Sequence, residues 1–104
     1  GRMREICGTV SAMMLVLGIV FYDAEHPTAE EKSALYAVEQ ELAARFRNRY
    51  GTIVRRELLK GITDDASPQA EARTAEYYRK RPCPELCAEA AAMLESFLRE
   101  KGKL

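Results

Sequence analysis

A nearly unbroken apolar run from Ile6 to Tyr22 constrains this chain more than any other feature of its sequence. Val10, Met13, Met14, Leu15, Val16, Leu17, Ile19, Val20 and Phe21 leave almost no polar stripe. A helix of that kind belongs at the centre of a bundle, not on its surface. The late β-branched residues would also suit a strand, but the length, from about Met3 to Tyr22, favours a helix. The run falls short of the roughly 20 apolar residues that span a bilayer. Arg2 and Arg4 imitate the start of a secretory signal, yet Glu5 sits among them. No small-x-small cleavage pattern follows Tyr22, and the chain continues into Asp23, Glu25 and His26. The run reads as a buried helix. Gly8 and Gly18 weaken it by up to about 1 kcal/mol each, which points to close approach of another backbone.

The rest of the chain carries helix signals and no hairpin pattern. Asp23 to Pro27 form a break, and Thr28 with Glu31 reads as a capping box. A second helix to about Tyr50 places Leu35, Val38, Leu42 and Phe46 on one stripe, with Gly51 as its stop. A short third helix, Thr52 to Lys60, presents Ile53, Val54, Leu58 and Leu59 and is closed by Gly61. After a polar loop with Asp64 and Asp65, Ser67-Pro68 starts a fourth helix to about Lys80, anchored by Tyr77 and Tyr78. Arg81 to Pro84 break it. The last helix, about Pro84 to Lys101, carries Leu86, Ala90, Met93, Leu94, Phe97 and Leu98 on one side. The expected fold is all-α: one domain over residues 1–104, a bundle of four to five helices around a central apolar helix.

Charge excludes several functions. Sixteen Lys and Arg balance sixteen Asp and Glu, so no net field draws in nucleic acid or an anionic membrane. One His rules out a His-rich metal site. Three Cys cannot all pair within the chain, which argues against a disulfide-stapled secreted scaffold and for a cytoplasmic protein.

The cysteines are the chemical candidates. Cys83 lies at or beside the N-cap of the last helix, where unpaired N–H groups and the helix dipole favour an anionic thiolate. Lys80 and Arg81 add positive charge. Cys83 therefore reads either as a redox-active or metal-ligating thiolate or as a capping thiol without chemistry. Cys87, among Leu86, Ala90, Ala91 and Leu94, reads as core packing. The Cys83–Cys87 spacing is not the Cys-x-x-Cys of thioredoxin-like or zinc sites, and a disulfide across one helical turn would be strained. Cys7 opens the apolar helix and is followed by Gly8.

Cys7-Gly8-Thr9-Val10-Ser11-Ala12 resembles the Cys-Gly-Ala-x-x-Gly motif of the C_GCAxxG_C_C family of redox-active proteins. The resemblance extends from Gly1 to about Leu98. Gly1 to Glu5 looks like the end of the family's Gly-rich lead-in, and Val16-Leu17-Gly18 is similar to its helix. Phe46 with Gly51-Thr52-Ile53, then Arg56-Glu57-Leu58-Leu59, look like its "F…GS-I" and "Cys-Arg-Glu-Leu-Leu" blocks. Arg81 to Leu86 resembles its C-terminal cysteine region. The family has four cysteines. The second corresponds to Cys7 and the fourth to Cys83, while Arg55 stands where the third is expected. The first lies on a helix upstream of this sequence, so the chain corresponds to the C-terminal part of the family domain. Thr9 and Ala12 replace the Ala and Gly of the motif.

The resemblance implies a redox-active, metal-binding or Fe–S-binding protein with Cys7 and Cys83 as its catalytic residues. Cys7, Cys83 and Cys87 are the candidate metal ligands. One cysteine would be an activated thiolate, the other a resolving thiol or co-ligand, with a redox partner protein. The alternative is a non-enzymatic module for homo-oligomerisation or partner binding, using apolar surface around Met13, Met14 and Leu17. Other constellations are weaker. His26 reads as an exposed loop residue, and Asp64 and Asp65 lack the further oxygen donors of a calcium loop. Glu39, Glu41 and Glu57 form no Glu-x-x-His pair. Arg45, Arg47, Arg49, Arg55 and Arg56, near Tyr50, read as a solvated face that acidic neighbours neutralise.

Overall fold

The computed structural model describes residues 3–60, 69, 72–80 and 82–104. They form five helices: α1 Gly8–Phe21, α2 Ala29–Tyr50, α3 Arg55–Leu58, α4 Ala75–Lys80 and α5 Cys83–Glu100. The fold is a small all-α bundle. Among the described residues, β structure is confined to one isolated antiparallel bridge, Ile6 with Val54.

Helix α2 begins and ends where local chemistry requires. The Thr28 hydroxyl accepts the Glu31 N–H at 3.1 Å, satisfying one of the donors a helix start leaves without an intrahelical acceptor. Among the described residues, the buried Glu31 Oε2 has no hydrogen-bond partner. Gly51 ends the helix at φ 84°, a left-handed conformation that glycine takes without steric cost, and its N–H bonds to the Arg47 carbonyl. Helix α4 takes its cap from Thr74, whose hydroxyl accepts the Tyr77 N–H at 3.2 Å. The expected helix from Ser67-Pro68 to Lys80 is shortened, since Gln69 and Ala72 to Thr74 are not helical; Ser67-Pro68 themselves, the Gly61 stop and the loop with Asp64 and Asp65 lie outside the described residues.

Helices α1, α2 and α5 pack on one another and make the core. Val10, Met13 and Leu17 of α1 meet Leu42 and Phe46 of α2 and Leu86, Ala90, Phe97 and Leu98 of α5 in one buried cluster. Leu35 and Val38 pack against it half-buried, and Leu59, just after α3, is fully buried. The stripes expected on α2 and α5 are the ones that face inward.

Several expectations are corrected. Helix α1 starts at Gly8, not near Met3, because the preceding residues are drawn into the bridge with Val54. The same pairing reduces α3 to one turn, leaving Thr52 to Val54 outside it. Helix α1 is also not wrapped on all sides: Leu15 is 70% and Ile19 80% exposed. Met13 and Leu17, two of the residues proposed for an outer contact, are core instead. A Cβ at Gly8 or Gly18 would meet nothing within 4 Å, so neither glycine marks a close backbone approach among the described residues.

Candidate functional site

The segment before α1 is held by backbone bonds to the segment before α3. Cys7 N–H donates to the Ile53 carbonyl at 2.9 Å, Arg55 N–H to Glu5 at 2.6 Å and Arg56 N–H to Arg4 at 2.9 Å. The last two satisfy donors at the start of α3 that have no acceptor within the helix. Arg4 takes a left-handed φ of 62°, a conformation uncommon outside glycine. With it, two successive carbonyls both reach α3. Directly opposed residues of an antiparallel pair share one face, and faces alternate along each segment. Ile6 and Val54 therefore stand on one side, Cys7 and Arg55 on the other. Burial agrees: Cys7 is fully enclosed and Ile6 is exposed.

Cys7 is the N-cap of α1, and its carbonyl accepts the Val10 and Ser11 N–H groups while its thiol makes no cap bond. The thiol lies in the buried cluster that includes Leu86 and Ala90 of α5. Cys83 is the first residue of α5, one position beyond its Pro82 N-cap, and is half-buried. Arg55 Nη1 donates to Cys83 Sγ at 3.1 Å. Among the described residues this sulfur is the side-chain partner Arg55 has; no carboxylate pairs with it. Cys87 is exposed, with its sulfur 3.4 Å from the Thr9 hydroxyl, so the first turns of α1 and α5 meet there.

The exposure of Cys87 overturns its reading as core. Helix α5 buries Leu86, Ala90, Phe97 and Leu98, and Cys87 lies about 100° round the helix from Leu86. All three cysteines are free thiols. Among the described residues no three His, Cys, Asp or Glu side chains gather to hold a metal ion. Among the described residues, Cys7, Cys83 and Cys87 are therefore not gathered into one three-ligand set, whereas a zinc or Fe–S centre takes four ligands.

The other arginines of the basic cluster behave as an ordinary solvated face. Arg45 pairs with Glu41 at 3.2 Å and with Glu100, Arg49 with Glu89 at 3.1 Å and Arg56 with Glu5 at 2.8 Å. The hydrogen bond from Arg45 holds the exposed Glu100 carboxyl below the ordinary carboxylate range. Burial first, then the neighbouring Glu89 carboxylate, push the Tyr50 hydroxyl up. His26 is exposed and bonds to Asp23 at 3.1 Å. Arg55 is the exception, and its role beside Cys83 was not anticipated.

The family model described as "Putative redox-active protein (C_GCAxxG_C_C)" matches residues 1–97. The chain belongs to this family. Its role is thus redox-related in the general sense of that description. Comparisons with curated proteins and with solved structures give no match. Within the matched residues, Cys7 stands at the start of α1 and Cys83 at the start of α5, and Arg55 touches Cys83. Among the described residues no helix is long and apolar enough to cross a membrane.

Proposed function

We propose that this member of the C_GCAxxG_C_C family is a thiol redox protein in which Cys83 reacts first and Cys7 completes the cycle. The observation that carries this reading is the 3.4 Å contact between Thr9 and Cys87. It ties the helix start that bears Cys7 to the helix start that bears Cys83. Cys83 is half-buried at the head of an 18-residue helix, and its exposure gives a small oxidant or a partner's thiol access to the sulfur. Oxidation of Cys83 is followed by attack of the Cys7 thiolate on the Cys83 sulfur. A Cys7–Cys83 disulfide forms, the group carried by Cys83 leaves with its electron pair, and an external dithiol later restores both thiols. Cys7 is buried, so this second step needs the Met3–Cys7 segment to lift from its bridge. That segment lies outside the helices and is the kind of element that opens locally. The redox partner is a dithiol protein of a reducing compartment such as the cytoplasm.

Mapping by mass spectrometry under non-reducing conditions tests the reading. A Cys7–Cys83 linkage is expected after mild oxidation, absent in Cys7→Ser and Cys83→Ser and retained in Cys87→Ser. Oxidation that leaves Cys7 and Cys83 as free thiols contradicts it.

A second reading rests on the exposed side of α1. An apolar groove of about 900 Å³ there is lined by Met14, Leu15, Gly18, Ile19, Tyr22 and Leu35. Covering it with the same face of a second copy would bury Leu15 and Ile19 and make a homodimer. Sedimentation of the wild type beside Leu15→Glu/Ile19→Glu tests this. A wild-type monomer at micromolar concentration removes it.

A further inference from the structure

Two settings of arginine differ in what answers the charge. Arg45, Arg49, Arg56 and Arg99 each face a carboxylate. Arg55 faces a sulfur, at 3.1 Å, and among the described residues has no carboxylate to neutralise it. Its backbone is fixed on both sides, the N–H on the Glu5 carbonyl and the carbonyl on the Leu59 N–H at 3.0 Å. A guanidinium carries five donors in a rigid planar fork. One is used on Cys83, and among the described residues no other side chain takes up the rest, which leaves them to face whatever reacts at that sulfur.

We infer that Arg55 is the positioning residue of Cys83 and that the oxidant this pair takes is a hydroperoxide; the inference rests on the thiol reading above and names its oxidant. The Cys83 thiolate attacks the terminal oxygen of the hydroperoxide. An S–O bond forms and the O–O bond breaks. Sulfur gives up two electrons and the leaving alkoxide or hydroxide takes a proton from water. Cys83 becomes a sulfenic acid. Negative charge moves during the step from the sulfur to the departing oxygen. Donors already aimed at where charge develops lower the barrier without reorganising. Cys7 then condenses with the sulfenic acid, forming the disulfide and releasing water. A lysine at position 55 would supply the charge but not the fork.

The test uses the purified chain, Arg55→Ala and Arg55→Lys, with hydrogen peroxide as oxidant and dimedone as sulfenic-acid trap, read at Cys83 by mass spectrometry. Iodoacetate and iodoacetamide serve as anionic and neutral alkylating probes. Arg55→Ala is expected to slow trapping at Cys83 about tenfold, since hydrogen bonds to charged groups are the stronger kind, and to lower the iodoacetate-to-iodoacetamide rate ratio. Arg55→Lys is expected to restore the ratio and leave trapping slow. A merely structural role would move neither the ratio nor its rescue. Wild-type trapping rates in a helical Arg55→Ala overturn the inference. If Arg55→Ala does not fold, wild-type trapping in Arg55→Lys overturns it. Cys83 that alkylates readily yet gives neither a dimedone adduct nor a Cys7–Cys83 disulfide with hydrogen peroxide removes the oxidant class. A wild type in which Cys83 neither alkylates nor oxidises ahead of Cys87 overturns the thiol reading itself.

Discussion

The two ends of the α2–α5 packing put similar side chains to different uses. At the far end, Arg45 and Glu41 of α2 interlock with Glu100 of α5 and Lys101 just beyond it, and both cations lie over the Phe97 ring at 5.0 and 5.3 Å. Charge there is matched by charge. The amphipathic stems cover an apolar ring, and the result is a clamp that strengthens packing. At the near end, Arg55 meets the Cys83 sulfur beside the start of α5. Among the described residues, the same residue type is answered by a carboxylate at one end and by a sulfur at the other.

The largest test of that contrast removes the clamp. Phe97 is fully buried, and Phe97→Ala is expected to cost about 3–5 kcal/mol in chemical denaturation. Below the shifted midpoint, Cys83 should alkylate at the wild-type rate. A loss of Cys83 reactivity in the still-folded variant would show that the two ends are not separate.

Within the cysteine end, burial ranks the thiols. Cys7→Ser places a hydroxyl in an apolar cluster and is expected to cost about 1–3 kcal/mol. Cys87→Ser changes an exposed side chain and should stay within about 0.5 kcal/mol of wild type. Denaturant midpoints check both, and equal effects would contradict the burial difference between them.

The smallest effect is the pH response of the clamp. Glu100 has its carboxyl held below the ordinary range in the folded chain, first by the hydrogen bond from Arg45. A depressed carboxylate adds stability that is present above the unfolded value and is lost as pH falls through the folded one. Glu100→Gln should therefore flatten the loss of stability on acidification below about pH 4.5. It should leave the thiols untouched. An unchanged acid limb would mean that this exposed pair contributes nothing.

Local signals made much of the bundle legible. Thr28 and Gly51 bound α2 because capping depends on residues one turn away, and the stripes of α2 and α5 face inward because periodicity is a local property. What the sequence hid is non-local. The extended Glu5–Cys7 segment depends on Val54, far along the chain, and without that partner the residues read as the first turn of an apolar helix. Cys87 reads as core because its neighbours include alanines. Ala88, Ala91 and Ala92 are exposed while Ala90 is buried, so alanine does not mark a face. Cys7 and Cys83 were legible as candidates from the family pattern, whereas the contact of Arg55 with Cys83 spans 28 positions and leaves no local trace.

The most direct test of the central claim is to treat the reduced chain with limiting hydrogen peroxide and dimedone and locate the adduct by peptide mapping. The account predicts the adduct on Cys83, with no dimedone adduct on the buried Cys7 while the chain stays folded. An adduct that appears first on the exposed Cys87 would contradict it.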